Sequence, residues 1–224
     1  MIYDWLIILG FIIVLFAQIN IKVNYNKYKT IFVRKKITGQ EVARMILDSN
    51  GLQNIYVVST NGELTDHYDP KRKVVRLSTE IFNGDSIAAV SVAAHECGHA
   101  IQDKIGYNFM KIRAFLVPIV NFVSYLGYFG LIISIIGGVT SYIQLCILIL
   151  LVTILFQIVT LPVEFDASKR AKEELYKLGI VDSDELNGCS KMLFSAALTY
   201  VAGLLSNLLQ LVRLILILGS RRDD

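Results

Sequence analysis

Between Arg113 and Glu164 the chain runs for some fifty residues without an Asp, Glu, Lys, Arg or His. A helix needs about 20 apolar residues to cross a hydrocarbon core of about 30 Å, so this stretch is long enough for two passes. It divides at Gly137-Gly138-Val139-Thr140-Ser141 into the runs Phe115–Val139 and Ile143–Val163, a helical hairpin with a short uncharged turn. Ile2–Ile21, interrupted by Asp4 and Gln18, predicts another span. It has no basic residue ahead of it and no small-x-small site behind it, so it reads as a retained anchor rather than a cleaved leader. Ala196–Gly219, interrupted by Gln210 and Arg213, is a fourth apolar stretch that either crosses the bilayer or packs against the rest of the protein. At 54% hydrophobic residues and a mean hydropathy of +0.54, a chain so built is an integral membrane protein, not a soluble domain.

Charge sets the topology. Lys22, Lys27, Lys29, Arg34, Lys35 and Lys36 follow the first span, and a basic cluster there marks the cytoplasmic side. Arg113 before the hairpin and Lys169, Arg170 and Lys172 after it place both hairpin ends on that side as well. The expected location is the cell membrane, multi-pass, with the lipid bilayer as partner and the working part facing the cytoplasm. No interleaving of basic and aromatic residues points to nucleic acid. Three scattered cysteines, Cys97, Cys146 and Cys189, make no disulfide framework. Nothing in the pattern fixes an oligomeric state.

The chemistry concentrates in Ala94-His95-Glu96-Cys97-Gly98-His99-Ala100. On a helix, residues four apart share a face, so His95 and His99 can both turn a ring nitrogen to one metal ion. Two imidazoles and a carboxylate suit zinc, with a fourth position for water. Glu96 stands beside that water, where a general base takes its proton. The plain alternative is a helix face with two unrelated histidines. Cys97 reads as a small packing residue among Ala93, Ala94, Gly98 and Ala100.

Around the motif the sequence predicts a helix from Gly39 to Ser49, opened by the capping box Thr38-Gly39-Gln40-Glu41, with Val42, Met45 and Ile46 inward. Extended pieces follow at Ile55–Ser59, Leu64–Tyr68 and Val74–Leu77, separated by Asn61-Gly62 and Asp69-Pro70 turns, and read as a small antiparallel β-meander. The motif helix is expected from about Ser86 to Lys104. The fold class is thus mainly α, a membrane protein with a small meander and three to four transmembrane helices. The expected organisation is an anchor (1–21), a cytoplasmic catalytic part (22–114), the hairpin (115–163), a cytoplasmic segment (164–194), and a fourth apolar helix with its tail (195–224).

Further residues invite roles. Pro162 kinks or restarts the helix near the membrane surface. Glu164, the first charge after the hairpin, is either an interfacial charge closing the span or a carboxylate held by a cation or metal. His67 is a turn-associated surface histidine or a contact to substrate. Arg213, deep in an apolar stretch, must face a partner or a polar cavity. Tyr200 is a weaker candidate for the oxyanion.

On Thr38-Gly39-x-Glu41-Val42-Ala43, Asp66-His67-Tyr68-Asp69-Pro70, the run Ala93–Gln102 and Leu161-Pro162-Val163-Glu164-Phe165-Asp166-Ala167-Ser168, the chain resembles the neutral zinc metallopeptidase family of bacterial membrane proteins, the YugP type. It is more distantly similar to the HtpX-like and CAAX-prenyl-protease membrane gluzincins. The resemblance implies a gluzincin-like zinc-protease core fused to the membrane helices. It implies one Zn2+ per chain, held by His95, His99 and Glu164, and a peptide or protein substrate near the membrane. It also implies an extended substrate beside an edge strand, for which Val74–Leu77 is the expected one. The gluzincin pattern carries Asp four residues after the ligand glutamate, where this chain has Ser168. A hydroxyl there can accept a bond from a ligand histidine, more weakly than a carboxylate would. Asp166 points off that face. The implied activity is a zinc-dependent endopeptidase in which Glu96 assists attack by a zinc-bound water. The rivals are a non-catalytic zinc-binding membrane scaffold or chaperone, and a zinc transporter or sensor. An intact Glu96 argues against the scaffold, and the lack of intramembrane His, Asp or Glu in the hairpin spans argues against the transporter or sensor.

Overall fold

A computed structural model describes residues 3–63, 65–137 and 143–220. The expected hairpin turn after Gly137 and the tail beyond Ser220 lie outside the described residues. In chain order the elements are α1 (Trp5–Tyr28), α2 (Gly39–Ser49), β1 (Tyr56–Thr60), β2 (His67–Asp69), β3 (Val74–Ser78), α3 (Thr79–Asn83), α4 (Ile87–Lys104), α5 (Asn108–Gly137), α6 (Ile143–Lys177) and α7 (Ser183–Ser220). Among the described residues, four helices are long and apolar enough to cross a membrane: α1, α5, α6 and α7. The chain divides into two compact units. One comprises residues 1–18, 108–162 and 198–224, and the other 19–107 and 163–197.

The second unit carries the motif. Thr38 opens α2 with the full capping box, its hydroxyl accepting from the Glu41 N–H while the Glu41 carboxylate accepts from the Thr38 N–H. The inward face of α2 is Val42, Ala43, Ile46 and Leu47, all fully buried. Met45, expected inside, is 40% exposed. At ~100° per residue the four buried positions centre on one arc, and Met45 falls well to one side of it. Burial of Ile46 and Leu47 contributes about 1.5–3 kcal/mol each. This face packs on α4, whose N-cap Ser86 accepts from the Ala89 N–H. The segment after α1 is pinned to the start of α4 by Val33 N–H to Asp85 O and Ile87 N–H to Ile31 O.

The sheet corrects the expected antiparallel meander. Its order is β1-β3-β2, with β1 parallel to β3 and β2 antiparallel to it. Only the β2–β3 turn is a hairpin. Asp69 Oδ1 accepts from the Lys71 and Arg72 N–H groups, and Lys73 takes the left-handed conformation at φ +52°. The Asn61-Gly62 turn does not fold the chain back beside β1; the intervening loop carries it to the far side of β3. Asp66 fastens the end of that loop by accepting from the Ser78 N–H at 2.7 Å. Val74–Ser78 is therefore the central strand, paired on both sides, and cannot be the edge that the resemblance implied. Alternating hydrophobicity sets which residues face the core, but a strand's neighbours depend on how the connecting loops travel.

Tyr68 and Lys73 tie the sheet to the end of α4, both bonding Asp103 Oδ2 (2.8 and 2.6 Å). α4 and α6 approach closely. A Cβ on Gly98 would stand 2.5 Å from the Ala167 carbonyl oxygen and 3.1 Å from its Cα. The glycine is there because backbone meets backbone. α6 itself runs through Pro162 without restarting, burying Val163, Ala167, Ala171 and Leu175 along one face.

The other unit consists of apolar helix segments joined by isolated polar contacts. Gly10 of α1 faces Ser206 of α7 (a Cβ would lie 2.8 Å from its Oγ). Asn207 donates to Gln157 of α6 at 3.0 Å, and Gly127 of α5 lies against Ile149 of α6. Arg213 donates to Asp4 Oδ1 through Nε (3.1 Å) and a terminal nitrogen (2.6 Å). Small residues and paired polar groups suit helices whose surroundings offer no water.

Candidate metal centre

α4 presents His95 and His99 one turn apart, their rings edge to face with centroids 4.8 Å apart. The approach at Gly98 and Ala167 brings in Glu164, three residues before Ala167 on α6. Its Oε2 lies 3.3 Å from His95 Nε2 and 3.7 Å from His99 Nε2. The three donor atoms fall within 4.8 Å of one another, and this is the sole such group among the described residues. Glu164 is 3% exposed. A carboxylate buried that deeply needs positive charge beside it. Two imidazole nitrogens and one carboxylate oxygen converging on one point are the donor set of a zinc site, so the residues fit that ion. Burial alone would disfavour a charged His99, but the Glu164 and Glu96 carboxylates and the Gln102 bond together outweigh it and lift the ring above its ordinary value. Protons and a metal cation compete for that place.

The far side of each ring is held differently. His99 Nδ1 lies 3.0 Å from Gln102 Oε1. The amide orientation follows from its other end, where Nε2 donates to Val163 O (2.8 Å) and to Asp166 Oδ2 (2.9 Å), both acceptors. The Gln102 oxygen must then accept from His99 Nδ1–H, leaving the Nε2 lone pair of His99 turned to Glu164 and free for a metal. Asp166 is held in turn by Arg170 through Nε (2.6 Å) and a terminal nitrogen (3.3 Å). Among the described residues, His95 Nδ1 has one hydrogen-bond partner, the Ser168 hydroxyl at 3.2 Å.

Gln102 was not among the residues that sequence reasoning singled out. It is fully buried and three residues after His99, on the same helical face; that spacing was the available signal. Asp166 does point away from Glu164's face, and its place is behind Gln102. Glu96 is buried on α4 at the motif's second position. Cys97 points to the α2 side, its Sγ 3.6 Å from Ala43 O, and burial pushes its thiol up. The remaining candidates are not part of the cluster. His67 is exposed on β2 with Nδ1 2.7 Å from Thr65 O. Tyr200, 40% exposed, and Arg213, paired with Asp4, belong to the other unit.

Helices of membrane-spanning length and a His-Glu-x-x-His helix meeting a buried glutamate define a class, the membrane proteins with a metallopeptidase-type centre. Within it, residues 3–219 match the family described as "Putative neutral zinc metallopeptidase", and the chain belongs to that family. It is 43% identical over 208 residues to the "Putative membrane protease YugP" of Bacillus subtilis (strain 168), across 93% of this chain and 92% of that relative. No solved structure matches the chain.

Proposed function

We propose that this chain is a membrane-embedded zinc-dependent endopeptidase that cleaves membrane-associated peptides or proteins at the cytoplasmic face. The observation that carries the reading is the meeting of Glu164 with His95 and His99 on the helix that also holds Glu96. His95 and His99 Nε2 and the Glu164 carboxylate would hold the ion. When bound, zinc would supply a Lewis acid for the scissile carbonyl and make a water more acidic.

The protein's own groups do the rest. Glu96 accepts the proton of the attacking water and delivers it to the leaving amine. Gln102 keeps His99 in the tautomer that leaves Nε2 bare, and Ser168 steadies His95. The basic residues around Lys22–Lys36 and Lys169–Lys172 support a cytoplasmic orientation, with 22–114 and 164–194 as the working part. An extended substrate would add to an outer edge of the sheet. β1, five residues long against three for β2, offers the longer one.

The test is hydrolysis of an unfolded casein-like protein by the purified, zinc-loaded chain, with and without chelator, alongside Glu96→Gln. Wild type should cleave and the chelated sample should not. The Glu96→Gln variant should bind zinc as wild type does and lose cleavage by about 10²-fold or more. Hydrolysis undiminished in that variant would dismiss the general-base role. No hydrolysis by a zinc-loaded wild type would favour the non-catalytic scaffold.

A further inference from the structure

A cavity of about 240 Å³ opens between α6 and the start of α7. Lys169, Lys172 and Lys191 line it together with Ser168, Phe165 and Phe194, and no acidic residue does. Lys169 reaches only the exposed Glu173, at 3.8 Å. Lys172 and Lys191 have no carboxylate within ion-pair distance among the described residues. Three lysines, two of them with no counter-charge among the described residues, make a site for an anion.

Two observations choose the anion. The first is where the cavity lies along its helices. The uncharged run of α6 ends at Val163, and that of α7 spans residues 192–212, directly after Lys191. Lys169 and Lys172 follow Glu164 by five and eight residues, about 7.5 and 12 Å along the helix. The headgroup layer adds about 5–8 Å to each side of the hydrocarbon core, so Lys169 stands at its outer edge and Lys172 just beyond, from where long side chains reach back to it. Phe165 and Phe194, which also line the cavity, are 43% and 62% exposed, as side chains at an acyl boundary are.

The second is the cavity's relation to the metal centre. Ser168 meets His95 at Nδ1, whereas Glu164 faces Nε2. The cavity therefore approaches the ligand set from behind, away from where a scissile peptide would lie. We infer that it binds the phosphate of an anionic phospholipid headgroup. Lysines on the cytoplasmic side are the usual partners of such lipids. The inference rests on the membrane reading and not on hydrolysis.

Full-length protein in neutral detergent is titrated with short-chain phosphatidylglycerol, phosphatidylcholine of equal chain length, inorganic phosphate, or a short acidic peptide. The thermal unfolding midpoint is followed in each case. Phosphatidylglycerol alone should raise it. Lys172→Gln/Lys191→Gln should weaken the apparent affinity by about thirtyfold, while Lys71→Gln/Arg72→Gln, an equal loss of charge in the β2–β3 turn, should leave it within twofold. The inference is overturned if phosphatidylcholine acts equally, or if the Lys172/Lys191 variant binds as wild type does. It is also overturned if inorganic phosphate or the acidic peptide matches the lipid.

Discussion

The two histidines at the centre share a helix and a carboxylate, yet their surroundings differ. Behind His99 is a closed polar chain, Gln102 to Asp166 to Arg170, with the amide fully buried and every bond between 2.6 and 3.3 Å. Behind His95 is one hydroxyl, at the edge of an open cavity. A hydroxyl can donate or accept, so Ser168 does not by itself decide which nitrogen of His95 carries the proton. Gln102 does decide for His99, because its nitrogen is already committed to two acceptors. One imidazole is oriented in advance, and the other is free to take either tautomer.

The largest effect is expected from Glu164→Ala, which removes the group both rings face. Zinc content by elemental analysis should fall to background, beyond the 10–100-fold weakening typical of losing an outer partner. Next is Gly98→Ala. Its Cβ would press on the Ala167 backbone, which cannot swing aside as a side chain can. We expect a loss of about 1–3 kcal/mol in thermal stability together with weakened zinc binding, since the same contact positions Glu164. Gln102→Leu should lower zinc affinity by about 10–100-fold in a competition titration, and wild-type affinity there would show that the His99 side is not preorganised. The smallest effect belongs to Ser168→Ala, a change of a few-fold. Ser168→Asp should tighten zinc instead, because a carboxylate would fix His95 as Gln102 fixes His99.

Much of this was legible from local pattern. The capping box marked the start of α2, and the i, i+4 histidines on α4 follow from helical period alone. Uncharged length marked the membrane helices, and Arg213, as an arginine in such a helix, demanded the partner it has in Asp4. Sheet order was not legible, because turn residues report that a chain bends and not where it goes next. Gln102 was passed over because a glutamine carries no charge to mark it. Only its burial against Val163 and Asp166, 61 and 64 residues away, makes it structural.

By itself, then, the sequence determined the elements and their chemistry: four long apolar helices, a His-Glu-x-x-His face, and a lone acid after fifty uncharged residues. Those follow from periods and compositions within a few turns of chain. The tertiary structure alone decided that Glu164 meets both imidazoles, that β3 is enclosed and not an edge, and that a buried amide holds one imidazole while a hydroxyl meets the other. Such pairings depend on how closely two backbones distant in sequence can approach, and here the side chain missing from Gly98 sets that distance.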